Sequence, residues 1–128
     1  MNIKHIAMTW GMLLLGVILN VAGSYIIKLK INTFGDIQLN SLPQVFSYFL
    51  ALAKQPIVVL GGLTLLFATL PYAIALAKME LSVAYPASVA LNFLFIIPLT
   101  IILLHEPLTL SKVLSSGLII LGLFILYR

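Results

Sequence analysis

Cysteine is missing from this 128-residue sequence, so disulfides, thiolate chemistry and cysteine-ligated metals are excluded. Charge is almost as scarce. Only 8% of residues are charged, and the acids number three: Asp36, Glu80 and Glu106. They lie too far apart in sequence for a local metal cluster, as do the two histidines, His5 and His105. No nucleophile motif or phosphate-binding loop occurs, so neither an enzymatic activity nor a bound metal or cofactor is expected. The formal net charge of +4 comes from basic residues scattered along the chain, which gives no basic stripe for nucleic acid.

What the sequence has in abundance is hydrocarbon. It is 62% hydrophobic with a mean hydropathy of +1.21, far outside the range of a water-soluble domain. A membrane-spanning helix needs roughly 20 apolar residues, and four such runs fit, at about 8–27, 57–77, 82–104 and 109–127. The first is too long for the core of a signal peptide and has no convincing cleavage site before Lys28, so it counts as a helix. The expected fold is an all-α membrane protein, one domain over 1–128 with four transmembrane helices. Between the first two spans, Ser41 to Lys54 has a capping residue and a largely apolar surface. It reads as an interfacial helix, or else as an extension of the second span kinked at Gln55-Pro56.

The third run carries the most information. Tyr85, Ser88, Asn92 and Phe95 fall at i, i+3, i+7 and i+10 and share one helix face. An amide without partners in hydrocarbon costs several kcal/mol, so Asn92 must face protein, water or a ligand. Asn20 is the second amide inside a span. It belongs to a stripe of Gly16, Asn20 and Ser24, with Gly23 beside it, that permits close approach of another helix. Pro71, Pro86 and Pro98 each remove a backbone donor and are expected to bend their helices. The short Lys78-Met79-Glu80 link makes the second and third spans antiparallel neighbours. Polar residues in membrane helices also serve plain helix packing, and both roles fit the pattern.

In the last run, Ser111, Ser115 and Gly122 share a face on which two backbones can meet, either in a dimer or within the same bundle. Lys28, Lys30, Lys78 and Lys112 sit near span ends, where ammonium groups reach headgroups while their stems stay in hydrocarbon. Glu106 lies close to the start of the last helix, favourable both to its dipole and to Lys112. With Lys4, Lys78 and Arg128 on one side and Lys28, Lys30, Lys54 and Lys112 on the other, charge does not set the orientation.

Asn20-Val-Ala-Gly-Ser24, Val83-Ala-Tyr-Pro86, Leu91-Asn-Phe93 and His105-Glu-Pro107 resemble the small multidrug resistance-like branch of the drug/metabolite transporter superfamily. Within that branch the likeness is to the small subunits of the aminoarabinose-phosphoundecaprenol flippase. The resemblance covers most of the chain, and the 31–55 segment stands as an insertion relative to the compact drug exporters. It implies a multi-pass protein of the bacterial inner membrane, a homodimer or a heterodimer with a similar small subunit, and a membrane lipid or lipid-linked sugar as substrate. Asn20, Tyr85, Ser88 and Asn92 would then bind substrate, with the four lysines at the headgroups and Ser111, Ser115 and Gly122 between subunits. One departure bears on mechanism. Where the proton-coupled exporters carry a glutamate in the first helix, this chain has Asn20, and an amide does not titrate. A small-molecule exporter and an accessory subunit of a larger membrane complex are the alternative expectations.

Overall fold

The computed structural model describes residues 2–37, 39–126 and 128, and among them every regular element is helical. In chain order these are α1 (Ile3–Phe34), α2 (Leu42–Ala53), α3 (Pro56–Leu76), α4 (Leu81–Leu103) and α5 (Leu110–Leu126). Three of them, α1, α3 and α4, are long and apolar enough to cross a membrane. The fourth expected span is shorter: α5 is apolar but has 17 residues, and its expected end at Tyr127 lies outside the described residues. The first span is longer than expected. With no breaker before Gly35, α1 runs for 32 residues, roughly 48 Å at about 1.5 Å per residue. Gly35 ends it at φ 102°, a backbone region open to glycine.

α2 is a separate helix and not a kinked start of α3. Each begins with proline in its first turn, Pro43 and Pro56, where the missing N–H costs nothing, and the two break at Lys54-Gln55. Ser41 stands at the N-cap of α2, but its side chain makes no capping hydrogen bond. What ties α2 down is the Tyr48 hydroxyl, which donates to the Gly35 carbonyl at 2.9 Å, and the edge-on contact of that ring with Phe34 at 5.4 Å. The helical hydrogen-bonded path continues through Pro71 in α3 and through Pro86 and Pro98 in α4, so the three prolines sit inside helices instead of ending them.

The bundle is built on α1. It packs most extensively on α3 and next on α4, while α3 and α4, though joined by the tight turn at 77–80, touch each other little. The tight turn joins α3 and α4 as expected, but they make few contacts with each other because α1 fits between them. The reason is the loss of side chains along the α1–α3 seam. Gly16 and Gly23 on α1 and Gly61, Ala68 and Ala75 on α3 recur every seven residues and run antiparallel, Gly23 against Gly61 and Gly16 against Ala68. A Cβ on Gly23 would lie 2.8 Å from the Gly61 carbonyl oxygen, so only glycine fits. Leu13, Ala75 and Ala87, each 0% exposed, bring α1, α3 and α4 together in one apolar cluster near the N-terminal end of α1. α5 returns alongside α4, has no buried residue, and reaches the cluster through Leu123.

The seam yields a stability test. Gly23→Ala should destabilise the protein by about 1–3 kcal/mol, the usual cost of overpacking. Gly62→Ala, where a Cβ meets nothing within 4 Å, should be neutral or slightly stabilising. Thermal unfolding of the two variants in the same detergent checks the contrast.

Candidate functional site

The cleft left between the splayed α3 and α4, with α1 as its third wall, contains a cavity of about 260 Å³. From α1 it is lined by Gly16, Val17 and Asn20. Leu65, Ala68, Thr69 and Tyr72 come from α3, and Tyr85, Ser88, Val89 and Asn92 from α4. All four residues read from the sequence as a polar site, Asn20, Tyr85, Ser88 and Asn92, therefore line one space. Phe95 does not.

No lining residue is charged, so the cavity offers hydrogen bonds only. These are partly committed to the helices that carry them. The Ser88 hydroxyl donates to the Tyr85 carbonyl at 2.8 Å, the Asn92 amide to the Ser88 carbonyl at 2.9 Å, and the Thr69 hydroxyl to the Leu66 carbonyl at 2.6 Å. Asn92 keeps its carbonyl oxygen for the cavity. The Asn20 side chain makes no hydrogen bond to any other described residue, and both ends of its amide are open. At the cavity's lateral side Asn20, Thr69 and Tyr85 are exposed, the last at 61%.

Tyr72 and Thr69 were not legible as site residues. Their helix shows no polar stripe, and the signal was indirect: Ala68 belongs to the small-residue repeat, so its immediate neighbours border the same wall. Gly16 also has a second role. A Cβ there would come within 3.2 Å of the Tyr72 backbone and Cβ, so its absence lets Tyr72 reach the cavity.

The lysines do not converge on the site. Lys28 and Lys30 lie towards the C-terminal end of α1, and Lys78 sits in the α3–α4 turn at the opposite end, beside His5. Lys112 is occupied: its ammonium group lies 3.8 Å from the Glu106 carboxylate and donates to the Pro107 carbonyl at 3.0 Å. That contact matches the expected partnership of Glu106 with the start of α5. Ser111, Ser115 and Gly122 are exposed, and a Cβ on Gly122 would meet nothing within 4 Å, so this face is not used for packing within the chain. Among the described residues no cluster of three potential metal ligands occurs.

Compared with protein-family models, with curated proteins and with solved structures, the chain finds no match in any of the three.

The hydrogen-bond pattern separates a packing role from a binding role for the amides. Because neither Asn20 nor Asn92 bonds to a neighbouring helix, Asn20→Leu and Asn92→Leu should each change unfolding free energy by less than about 1 kcal/mol. Thermal unfolding in detergent measures this. A loss of several kcal/mol would mean that the amides hold the bundle together.

Proposed function

We propose that the chain is a transporter of the flippase type, moving a lipid-linked, polyprenyl-phosphate-type anionic substrate across the bacterial inner membrane. The observation that carries this reading is the uncharged cavity with two under-used amides in the middle of three membrane-length helices. Unmet amides in hydrocarbon cost several kcal/mol, so the cavity is suited to water or to the polar head of a ligand. Its lateral side, at Asn20, Thr69 and Tyr85, lets an apolar tail remain in the bilayer while the head is inside. About 260 Å³ is room for part of a head and not for a polyprenyl chain, which agrees with that division.

The sequence resemblance to the flippase subunits points the same way, and so does the placement of charge. Asp36 follows α1, Glu80 caps α4 and Glu106 follows α4, so no carboxylate lies within a span to exchange protons for a cation. This disfavours the proton-coupled exporter. On the flippase reading α5 crosses the membrane as a fourth helix, shorter than the others. α2 lies at the interface, where Leu42, Phe46 and Phe49 form an exposed apolar face beside Lys54. The open faces of α5 and of the cavity would meet a second copy or a similar small subunit.

Two experiments test the reading. In vesicles loaded with a polyprenyl-phosphate-linked sugar, the Asn92→Leu, Tyr85→Phe double variant should lose transport while expression and dimer formation persist. Transport at the unmodified rate would defeat the proposed site. Acidification should produce no steep loss of transport, and Glu106→Gln should leave the pH profile unchanged. A sharp pH dependence removed by that substitution would show a proton-exchanging carboxylate and return the exporter to first place.

A further inference from the structure

The central cavity is not the only space between α1 and α4. One helical turn beyond Asn20 and Asn92 a second hollow of about 280 Å³ opens, with Ser24, Tyr25 and Lys28 on α1 facing Ile96, Leu99 and Thr100 on α4. Asn20, Ser24 and Lys28 are spaced i, i+4 and i+8, and Asn92, Ile96 and Leu99 i, i+4 and i+7. The two hollows are therefore bordered by the same two helix faces in succession.

In the other direction the same cleft is blocked. Leu13, Ala75 and Ala87 are fully buried where the three helices meet, with Tyr72 and Leu91 packed against them. Tyr72 belongs both to this cluster and to the cavity lining, and so forms the cavity's floor. Hollows do exist near Lys78, but they lie on the far side of that buried cluster.

We infer that the second hollow is a vestibule: in this conformation a polar ligand approaches the central cavity along the cleft from the Lys28 end and not from the Lys78 end, and Lys28 selects for anions at its mouth. Glu106 also borders the vestibule, but its charge is matched by Lys112 at 3.8 Å. Lys28 makes no ion pair with any other described residue, so the three groups together leave one positive charge at the opening. The walls at Ile96, Leu99 and Leu104 are apolar, which weakens screening and strengthens the effect of that charge. The ligand class admitted is an anionic head, from a lipid or from a soluble anion. The physiological meaning of the passage rests on the transporter reading, whereas its existence does not.

The absence of native cysteine makes the test direct. Single variants Ser24→Cys, Thr100→Cys, Ala75→Cys and Ala87→Cys are reconstituted in phosphatidylcholine vesicles and treated with charged, membrane-impermeant methanethiosulfonates from both sides. Such reagents need a water-exposed thiolate. Ser24→Cys and Thr100→Cys should label, Ala75→Cys and Ala87→Cys should not, and the anionic reagent should outpace the cationic one, relative to a free thiol. Adding Lys28→Gln to Ser24→Cys should lower that preference by about three- to tenfold. Thr100→Cys with Lys28→Gln repeats the measurement from the other helix in case Ser24→Cys folds poorly.

Unreactive vestibule positions, equal labelling at Ala87→Cys, or a preference unmoved by Lys28→Gln would each overturn the inference. Protection of Ser24→Cys by farnesyl phosphate but not by inorganic phosphate identifies a lipid head as the ligand; protection by both identifies a general phosphate site. Expected labelling in a protein that transports nothing would keep the passage and remove the transporter reading.

Discussion

The close approach of α1 to α3 at Gly23 and Gly61 is the constraint on which the rest of the molecule depends. Inside a bilayer apolar side chains gain little from leaving lipid, so helices associate through dense van der Waals contact, and density requires backbones that can come near each other. At this point a single methyl group would stand 2.8 Å from a carbonyl oxygen. The contact fixes the register of the two helices, Gly16 then falls against Ala68 and Tyr72, and Leu13 against Ala75. With α1 bound so closely to α3, it occupies the place where α4 would otherwise pack on α3. The cavity is the space that this arrangement leaves unfilled.

The same seam sorts the residues of α1 by face. Gly16 and Gly23, seven apart, are used against α3, whereas Asn20 and Ser24 are turned towards α4 and line its two hollows. Packing thereby takes the positions without polar atoms and leaves the amide where no protein group satisfies it. A buried polar group normally finds a partner, and among the described residues no fully buried side-chain nitrogen or oxygen lacks one. Asn20 falls outside that rule because it is exposed at the open side of the cavity. Its amide is well accommodated with water or a polar ligand there, and poorly with hydrocarbon.

Much of this was legible from residue spacing, and the misses have physical causes. The i, i+3, i+7 pattern of Tyr85, Ser88 and Asn92 marked the face of α4 that lines the cavity, because a helix keeps its phase over two turns. It failed at Phe95, three residues on, where the cavity has already ended. The small residues of α1 were recognised as a packing stripe, but Asn20 and Ser24 were grouped with the glycines although a helix turns about 60° between Asn20 and Gly23. Of the Gly61-Gly62 pair, only Gly61 is in the seam, and nothing in the dipeptide itself distinguishes the two. Tyr72 was missed because its presence in the site depends on a glycine 56 positions earlier, a long-range relation that no local pattern carries. The ends of α1 exceeded the hydropathy window because polarity, unlike Gly35, does not stop a helix once it leaves the hydrocarbon.

On the transporter reading, the division of charge has a consequence for an anionic head. A cation at 4 Å from an anionic head, at an effective dielectric near 20, would hold it by about 4 kcal/mol, slowing release by roughly a thousandfold. A carboxylate at the same place would repel the head by a similar amount and keep it out. Hydrogen bonds from neutral amides and hydroxyls contribute about 1 kcal/mol each, enough to replace lost hydration without trapping the ligand. In this chain the cations stand at the helix ends, away from the central cavity, and the middle is lined by neutral groups alone. An attractive mouth followed by a weakly binding interior is what passage demands, since a site that binds most tightly at its centre stores its ligand instead of releasing it.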